Sequence, residues 1–201
     1  MKYSKIIILT AAAFAAVYFS FYTENLTERQ KREEMSRYNP EQLVNKIMKD
    51  SLASLEQKAL SISMLAEGIR NNAEEFAKTH GKVLGIGSPV FYIVKGECHD
   101  AKLADGEEIH ATADGISIKI PIKHIFGNNA RDASGWFNID NFKNTMDFNA
   151  VSAEMNKYIT KETAGFKMPA EGQTVTFVGA VAVPPHSSDI STLEITPYIL
   201  K

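Results

Sequence analysis

The spacing of apolar residues changes near residue 85, which divides the sequence into a helix-like part and a strand-like part. Residues 52–69 repeat leucine, isoleucine and alanine every three or four positions, which predicts one apolar stripe on a helix. Asn39 followed by Pro40 is typical of a helix start, and Gly81 is typical of a helix end. We therefore predict a helical unit over residues 39–84.

The second part of the chain favours β-strands, because β-branched and aromatic residues alternate there with polar ones. The clearest run places isoleucine at every second position, which predicts a strand with one buried face. A helix is predicted from about Asp140 to Thr163. The five predicted strands are residues 89–103, 107–113, 116–122, 174–183 and 192–200.

Three strands, a helix and two further strands follow one another in the order of an OB-fold barrel. We therefore predict an α+β chain with a small helical unit followed by an OB-like, five-stranded antiparallel barrel over residues 85–201. The helix would lie between strands 3 and 4. An open antiparallel sheet packed on the same helices is the alternative, and neither fold assigns a function by itself.

The first 23 residues predict a membrane segment. Residues 6–22 are uncharged and mostly apolar, and Lys2 and Lys5 precede them, as in signal peptides and signal anchors. Their 17 residues lie at the lower end of the about 17–25 residues that span a bilayer. No small-residue cleavage site follows, which favours a retained anchor. The lysines predict a single-pass protein whose remainder is periplasmic, with charged residues 24–38 as a stalk.

Charge and motifs exclude several classes of function. Residues 24–201 carry 20 basic and 24 acidic side chains, a poor electrostatic match to nucleic acid. The single cysteine, Cys98, excludes an internal disulfide and a cysteine cluster for zinc, and we expect it to be buried. No phosphate-binding loop or nucleophile motif occurs, so we predict no catalytic residue, no cofactor and no enzymatic activity.

Residues 39–201 resemble the bacterial domain-of-unknown-function family numbered 2291, which is described as predicted periplasmic lipoproteins. The most specific stretch, residues 127–156, contains Arg131-Asp132, Gly135, Phe142, Asn144, Phe148 and Asn156. The resemblance implies a small helical domain joined to an OB-like barrel, and members often lie near sugar-transport operons. Many members are expected to carry a lipid-anchored cysteine after the signal. This sequence has no cysteine there, so we expect the apolar segment to provide the attachment instead.

The candidate ligand-binding residues lie between residues 131 and 144. An arginine fork can bind a carboxylate or a phosphate, although a salt bridge that holds the loop is the interpretation we favour for Arg131. Amides beside an aromatic ring could bind carbohydrate, but asparagines also cap helices and turns locally. The predicted set is Arg131, Asp132, Trp136, Asn138, Asn141 and Asn144.

Four other side chains suggest metal chemistry, because they lie near the ends of the predicted strands: His99, Asp100, His110 and His124. Imidazole and carboxylate bind zinc, but this spacing matches no metal signature, and we predict no metal site. We expect a membrane-tethered binding or accessory protein of the cell envelope, whose candidate partners are a small solute such as a sugar or a transporter component. The alternatives are a metal-dependent envelope enzyme that uses these four residues, and a scaffold for other envelope proteins.

Overall fold

This computed structural model describes residues 39–168 and 174–201. Two helices come first in this part of the chain. The predicted anchor and stalk, residues 1–38, lie outside it. Helix α1 (Pro40–Lys58) starts where the Asn39 side chain accepts a hydrogen bond from the Gln42 backbone N–H at 3.0 Å. No helix within the described ranges has the length and hydropathy that crossing a membrane requires.

The remaining elements are two further long helices, two short helical segments and eight strands in the described ranges. Helix α2 (Ile62–His80) is kinked at Asn72, whose backbone angles are not helical. The other helices are α3 (Asn129–Ser134), a 3-10 turn (Ile139–Asn141) and α4 (Thr145–Thr163). The strands are β1 (Leu60–Ser61), β2 (Lys82–Val83), β3 (Val90–Ala104), β4 (Glu108–Ala113), β5 (Ile116–Pro121), β6 (Val175–Val183), β7 (Thr192–Glu194) and β8 (Thr196–Leu200).

The strands close into a barrel. Strand β3 pairs with β4 and β6, β4 pairs with β5, and β6 pairs with β8, all antiparallel. Only Ile195 separates β7 from β8, and β7 pairs with β5 in parallel. The final segment therefore joins both sides of the sheet, and the backbone N–H of Ile195 donates to the Lys119 carbonyl at 2.8 Å.

The barrel is mixed rather than wholly antiparallel as predicted, for a geometric reason. Five strands arranged in a ring cannot all alternate in direction, so one neighbouring pair has to be parallel. That pair is β5 and β7. The structure also contains two short strands that the sequence did not predict, β1 and β2, which both pair with β3.

Helix α2 contributes directly to the core of the barrel. Ile62, Leu65 and Ile69 from this helix are almost completely buried in the cluster that holds the inward-facing side chains of the strands. The alternating isoleucines of β5 lie in the same cluster, as predicted. Cys98 is also fully buried there, and burial raises the pKa of its thiol to about 11. The thiol therefore stays protonated near neutral pH.

A second apolar layer covers the outside of the barrel. Val178 and Ala180 of β6 are buried although they are not part of the interior cluster, because α3 packs against this strand. Helix α4 buries one apolar stripe, made of Phe148, Val151, Met155 and Ile159. This helix begins at Thr145 rather than near Asp140, since the Asn144 side chain caps it by accepting from the Asp147 N–H at 2.9 Å.

Gly179 provides a test of how tightly β6 and β8 pack. A Cβ atom at this position would lie 2.3 Å from Cγ2 of Ile195 and 2.8 Å from the backbone oxygen of Thr196. We expect Gly179→Ala to lower the free energy of unfolding by about 1–3 kcal/mol, because the backbone has to move. Urea denaturation measures this change.

The matched control is Gly165→Ala, since a Cβ there meets no atom within 4 Å. If both variants had the same unfolding midpoint, the close approach of β6 and β8 would be contradicted.

Candidate functional site

Arg131 and Asp132 lie on α3 and form a buried ion pair. Their side chains are 4% and 5% exposed, and Nε of Arg131 donates to Oδ1 of Asp132 at 2.7 Å. Nη1 of Arg131 also donates to the Phe148 carbonyl at 3.3 Å and to Oδ1 of Asn149 at 3.2 Å. The guanidinium carbon lies 3.7 Å from the centroid of the Phe148 ring. The arginine fork therefore joins α3 to α4.

A tyrosine from the last strand completes this buried polar group. The hydroxyl of Tyr198 donates to the Ala130 carbonyl. Burial, and secondly the nearby Asp132 carboxylate, raise the pKa of Tyr198 far above its usual value. The hydroxyl remains protonated, so this donor persists at any physiological pH.

The other predicted residues lie closer to the surface. Trp136 is half-buried, 6.2 Å from the Tyr198 ring, and lines a small pocket with His80 and Lys82. Asn138, Asn141 and Asn144 are exposed. Asn138 accepts from the Asp140 N–H at 3.0 Å, and Asn144 caps α4, so both side chains serve local backbone turns. The structure brings Arg131 and Asp132 together but places these asparagines apart from them.

A wider groove opens next to this region, between residues 124–128 and helix α4. Its volume is about 740 Å³. We call it the amide groove, because three asparagines line it: Asn128 from the loop, and Asn149 and Asn156 from the helix. None of the six predicted ligand-binding residues lines it.

Polar groups on one face of α4 form the floor of the amide groove. Asn156 is 8% exposed, and its Nδ2 donates to the Gly127 carbonyl at 2.9 Å, which leaves Oδ1 as an acceptor. Asn149 accepts from Arg131 through Oδ1, which leaves its Nδ2 as a donor. Ser152 lies between them, and among the described residues its buried hydroxyl has no hydrogen-bond partner.

Aromatic rings and cations border the same groove. The rings of His124 and Phe126 are stacked, with centroids 6.3 Å apart and an interplanar angle of 9°, and Phe126 is 77% exposed. Lys157 forms an ion pair with Glu154 at 3.3 Å, whereas Lys161 has no ion pair within the described ranges. No carboxylate lines the groove in those ranges. The groove therefore offers amides, a ring face and positive charge.

The histidines considered for metal binding are not assembled into a site. His110 contacts Glu108, and Nε2 of His124 lies 3.6 Å from Oε1 of Glu107. In the part of the chain that the structure describes, no three histidine, cysteine or acidic side chains are grouped so that they could hold a metal ion.

Comparison with known proteins assigns the family. The family model described as predicted periplasmic lipoprotein (DUF2291) matches residues 11–201. The chain belongs to the DUF2291 family. This result confirms the predicted family and indicates an extracytoplasmic, envelope-associated protein. No curated protein matches the chain.

A solved structure confirms the OB fold. The chain is similar to an OB-fold protein from Thermotoga maritima, with 18% sequence identity and a TM-score of 0.65. The similarity covers 83% of this chain and 99% of the other. At this sequence identity the similarity shows the fold of this chain, and it carries no information about a ligand.

The sequence contained one signal for the amide groove that the predicted set did not use. Asn149 and Asn156 are seven residues apart, two turns of a helix, and so they share a face. Each asparagine directly follows a residue of the apolar stripe, Phe148 or Met155, so their shared face lies next to that stripe. Nothing in the sequence indicated that residues 124–128 would cover that face.

The buried ion pair gives a direct stability prediction. Arg131→Met should lower the free energy of unfolding by about 3–5 kcal/mol, because Asp132 would stay buried without a counter-charge. Chemical denaturation, followed by the fluorescence of Trp136, the only tryptophan in the sequence, measures the loss.

The control is Arg70→Met. Arg70 contacts Asp189 at 3.9 Å with side chains 64% and 72% exposed, so the loss should stay below about 1 kcal/mol. Equal losses in the two variants would show that the Arg131–Asp132 pair does not hold α3 in place.

Proposed function

We propose that this chain is a non-catalytic, envelope-tethered binding protein that holds a polar, sugar-like solute in the amide groove. The observation that carries the proposal is the arrangement on α4. Oδ1 of Asn149 and Nδ2 of Asn156 form hydrogen bonds within the protein. Nδ2 of Asn149 and Oδ1 of Asn156 are left to bind a ligand in the groove. Fixed donors and acceptors of this kind suit the hydroxyl groups of a sugar, since both ligand and amide can donate and accept.

The stacked pair of His124 and Phe126 supports the same class of ligand. An exposed ring face at the border of a polar groove can contact the apolar face of a pyranose ring while the amides bind its edge. The absence of a carboxylate from the described lining, together with Lys161, favours a neutral or acidic sugar over a basic solute.

The envelope location gives the proposal a role. A predicted periplasmic lipoprotein is held near the membrane, where a bound solute can be passed to a transporter. We propose a membrane transporter component as its partner and residues 6–22 as its single-pass anchor, with Arg131 acting through Asn149 as a positioning residue.

Titration of the full chain in lipid nanodiscs with a panel of neutral and acidic monosaccharides tests this function. Isothermal calorimetry should detect binding of at least one sugar. Asn156→Ala should weaken that binding about tenfold, because a ligand hydrogen bond and the support of residue 127 are both lost.

Asn141→Ala is the matched control, because Asn141 is exposed and does not line the groove. It should leave the affinity unchanged. The proposal is wrong if no sugar of the panel binds, or if the two variants weaken binding equally.

A further inference from the structure

A separate cavity lies between α2 and the two loops at residues 84–89 and 184–187. Its volume is about 310 Å³, near the lower limit of the roughly 300–1,000 Å³ that small-molecule sites occupy. It shares no lining residue with the amide groove. Its walls are mainly aliphatic, with Ile69, Ala73, Val90, Val183 and Pro184 among them.

The hydroxyl of Tyr92, in the wall of this cavity, has no hydrogen-bond partner in the part of the chain that the structure describes. Tyr92 of β3 is 2% exposed and lines the cavity, and no described residue forms a hydrogen bond with its hydroxyl. The hydroxyl oxygen of Tyr92 keeps some accessible surface, because in the described ranges the buried side-chain polar atom without a partner is Oγ of Ser152. A molecule in the cavity can therefore reach the Tyr92 hydroxyl and form a hydrogen bond with it. Burial also raises the pKa of Tyr92, so the hydroxyl is a neutral donor and acceptor.

The rim of the cavity exposes apolar side chains. Val83, Leu84 and Ile86 are 58%, 56% and 111% exposed. The loop that carries Ile86 is held in shape by Ser88, whose hydroxyl donates to the Gly85 carbonyl at 2.8 Å and accepts from the Gly85 N–H at 3.2 Å. An apolar ligand can therefore contact aliphatic surface before it enters the cavity.

The carboxylate and the lysine at the rim are paired with each other. Glu74 and Lys78 form an ion pair at 2.9 Å, and His186 lies on the same rim. Among the described lining residues, the cavity thus offers no unpaired carboxylate or lysine next to Tyr92, and burying an ionised ligand group there would be costly. An uncharged polar group is the better partner for the tyrosine.

We propose that this cavity binds an uncharged, largely aliphatic small molecule with one hydroxyl or carbonyl group, and that the hydroxyl of Tyr92 is the partner of that group. The site is independent of the amide groove and of the sugar-like solute proposed for it. Its ligand class follows from the aliphatic walls and the single unpartnered hydroxyl.

Photolabelling with a diazirine-bearing octanol tests the proposal on the full chain in lipid nanodiscs, with the labelled peptides identified by mass spectrometry. We expect labels on α2 and on the loops at residues 84–89 and 184–187, and competition by unlabelled 1-octanol. Tyr92→Phe should raise the octanol concentration needed for competition about fivefold, because one hydrogen bond is lost. Competition by octane should not change.

Two further variants make the result decisive. Ala77→Met places a longer side chain in the cavity wall and should abolish the labelling. Tyr158→Phe, on α4 and outside the cavity lining, is the control and should leave the competition unchanged. Labels that map elsewhere, labels that persist in Ala77→Met, or equal effects of the two tyrosine variants would overturn the proposal.

Discussion

The C-terminal segment hydrogen-bonds to strands on both sides of the sheet, and the rest of the structure depends on this closure. Its beginning accepts from the Ser117 N–H through the Ser191 carbonyl at 3.1 Å, and its end exchanges hydrogen bonds with Thr176 through Lys201. Without these bonds β5 and β6 would present open edges, which favour pairing with other chains. The barrel interior that receives α2 would also lose one wall.

Closure explains why the helices lie where they do. A barrel of this size has a filled interior, and α2 supplies three of the side chains that complete it. The outer face of β6 is apolar as well and is covered by α3, while α4 packs against α1, α3 and β8. The polar contacts of Arg131 then fix α3 against α4, and the polar face of α4 next to its apolar stripe, which includes Asn149, forms the floor of the amide groove.

The local pattern of apolar and polar residues predicted most of this architecture, because each helix and strand is recognised from residues close together in the sequence. Alternation of isoleucines in β5 fixes which face is buried, and the order of strands and helix is that of an OB fold. The parallel pairing of β5 with β7 depends on the direction of strands far apart in sequence, and no periodicity reports it. The strands β1 and β2 are too short to show a period.

The candidate site was less predictable for a related reason. Residues 127–156, which resemble the family most specifically, contain Arg131 and Asp132. Only the structure shows that these two side chains are buried, pair with each other and contact α4. Asn144 was interpreted as a ligand group and instead caps a helix, a role that the same side chain performs equally well. The amide groove joins residues 28 positions apart, Asn128 and Asn156, through a contact that only the fold creates.

Native mass spectrometry of the full chain, extracted from the envelope of the cells that produce it, tests the central claim most directly. If the amide groove binds a polar solute, the wild-type chain should retain a hydroxyl-rich compound of low mass, and the Asn156→Ala chain should not. A wild-type chain free of any small molecule, or a compound that both chains retain equally, would contradict the account.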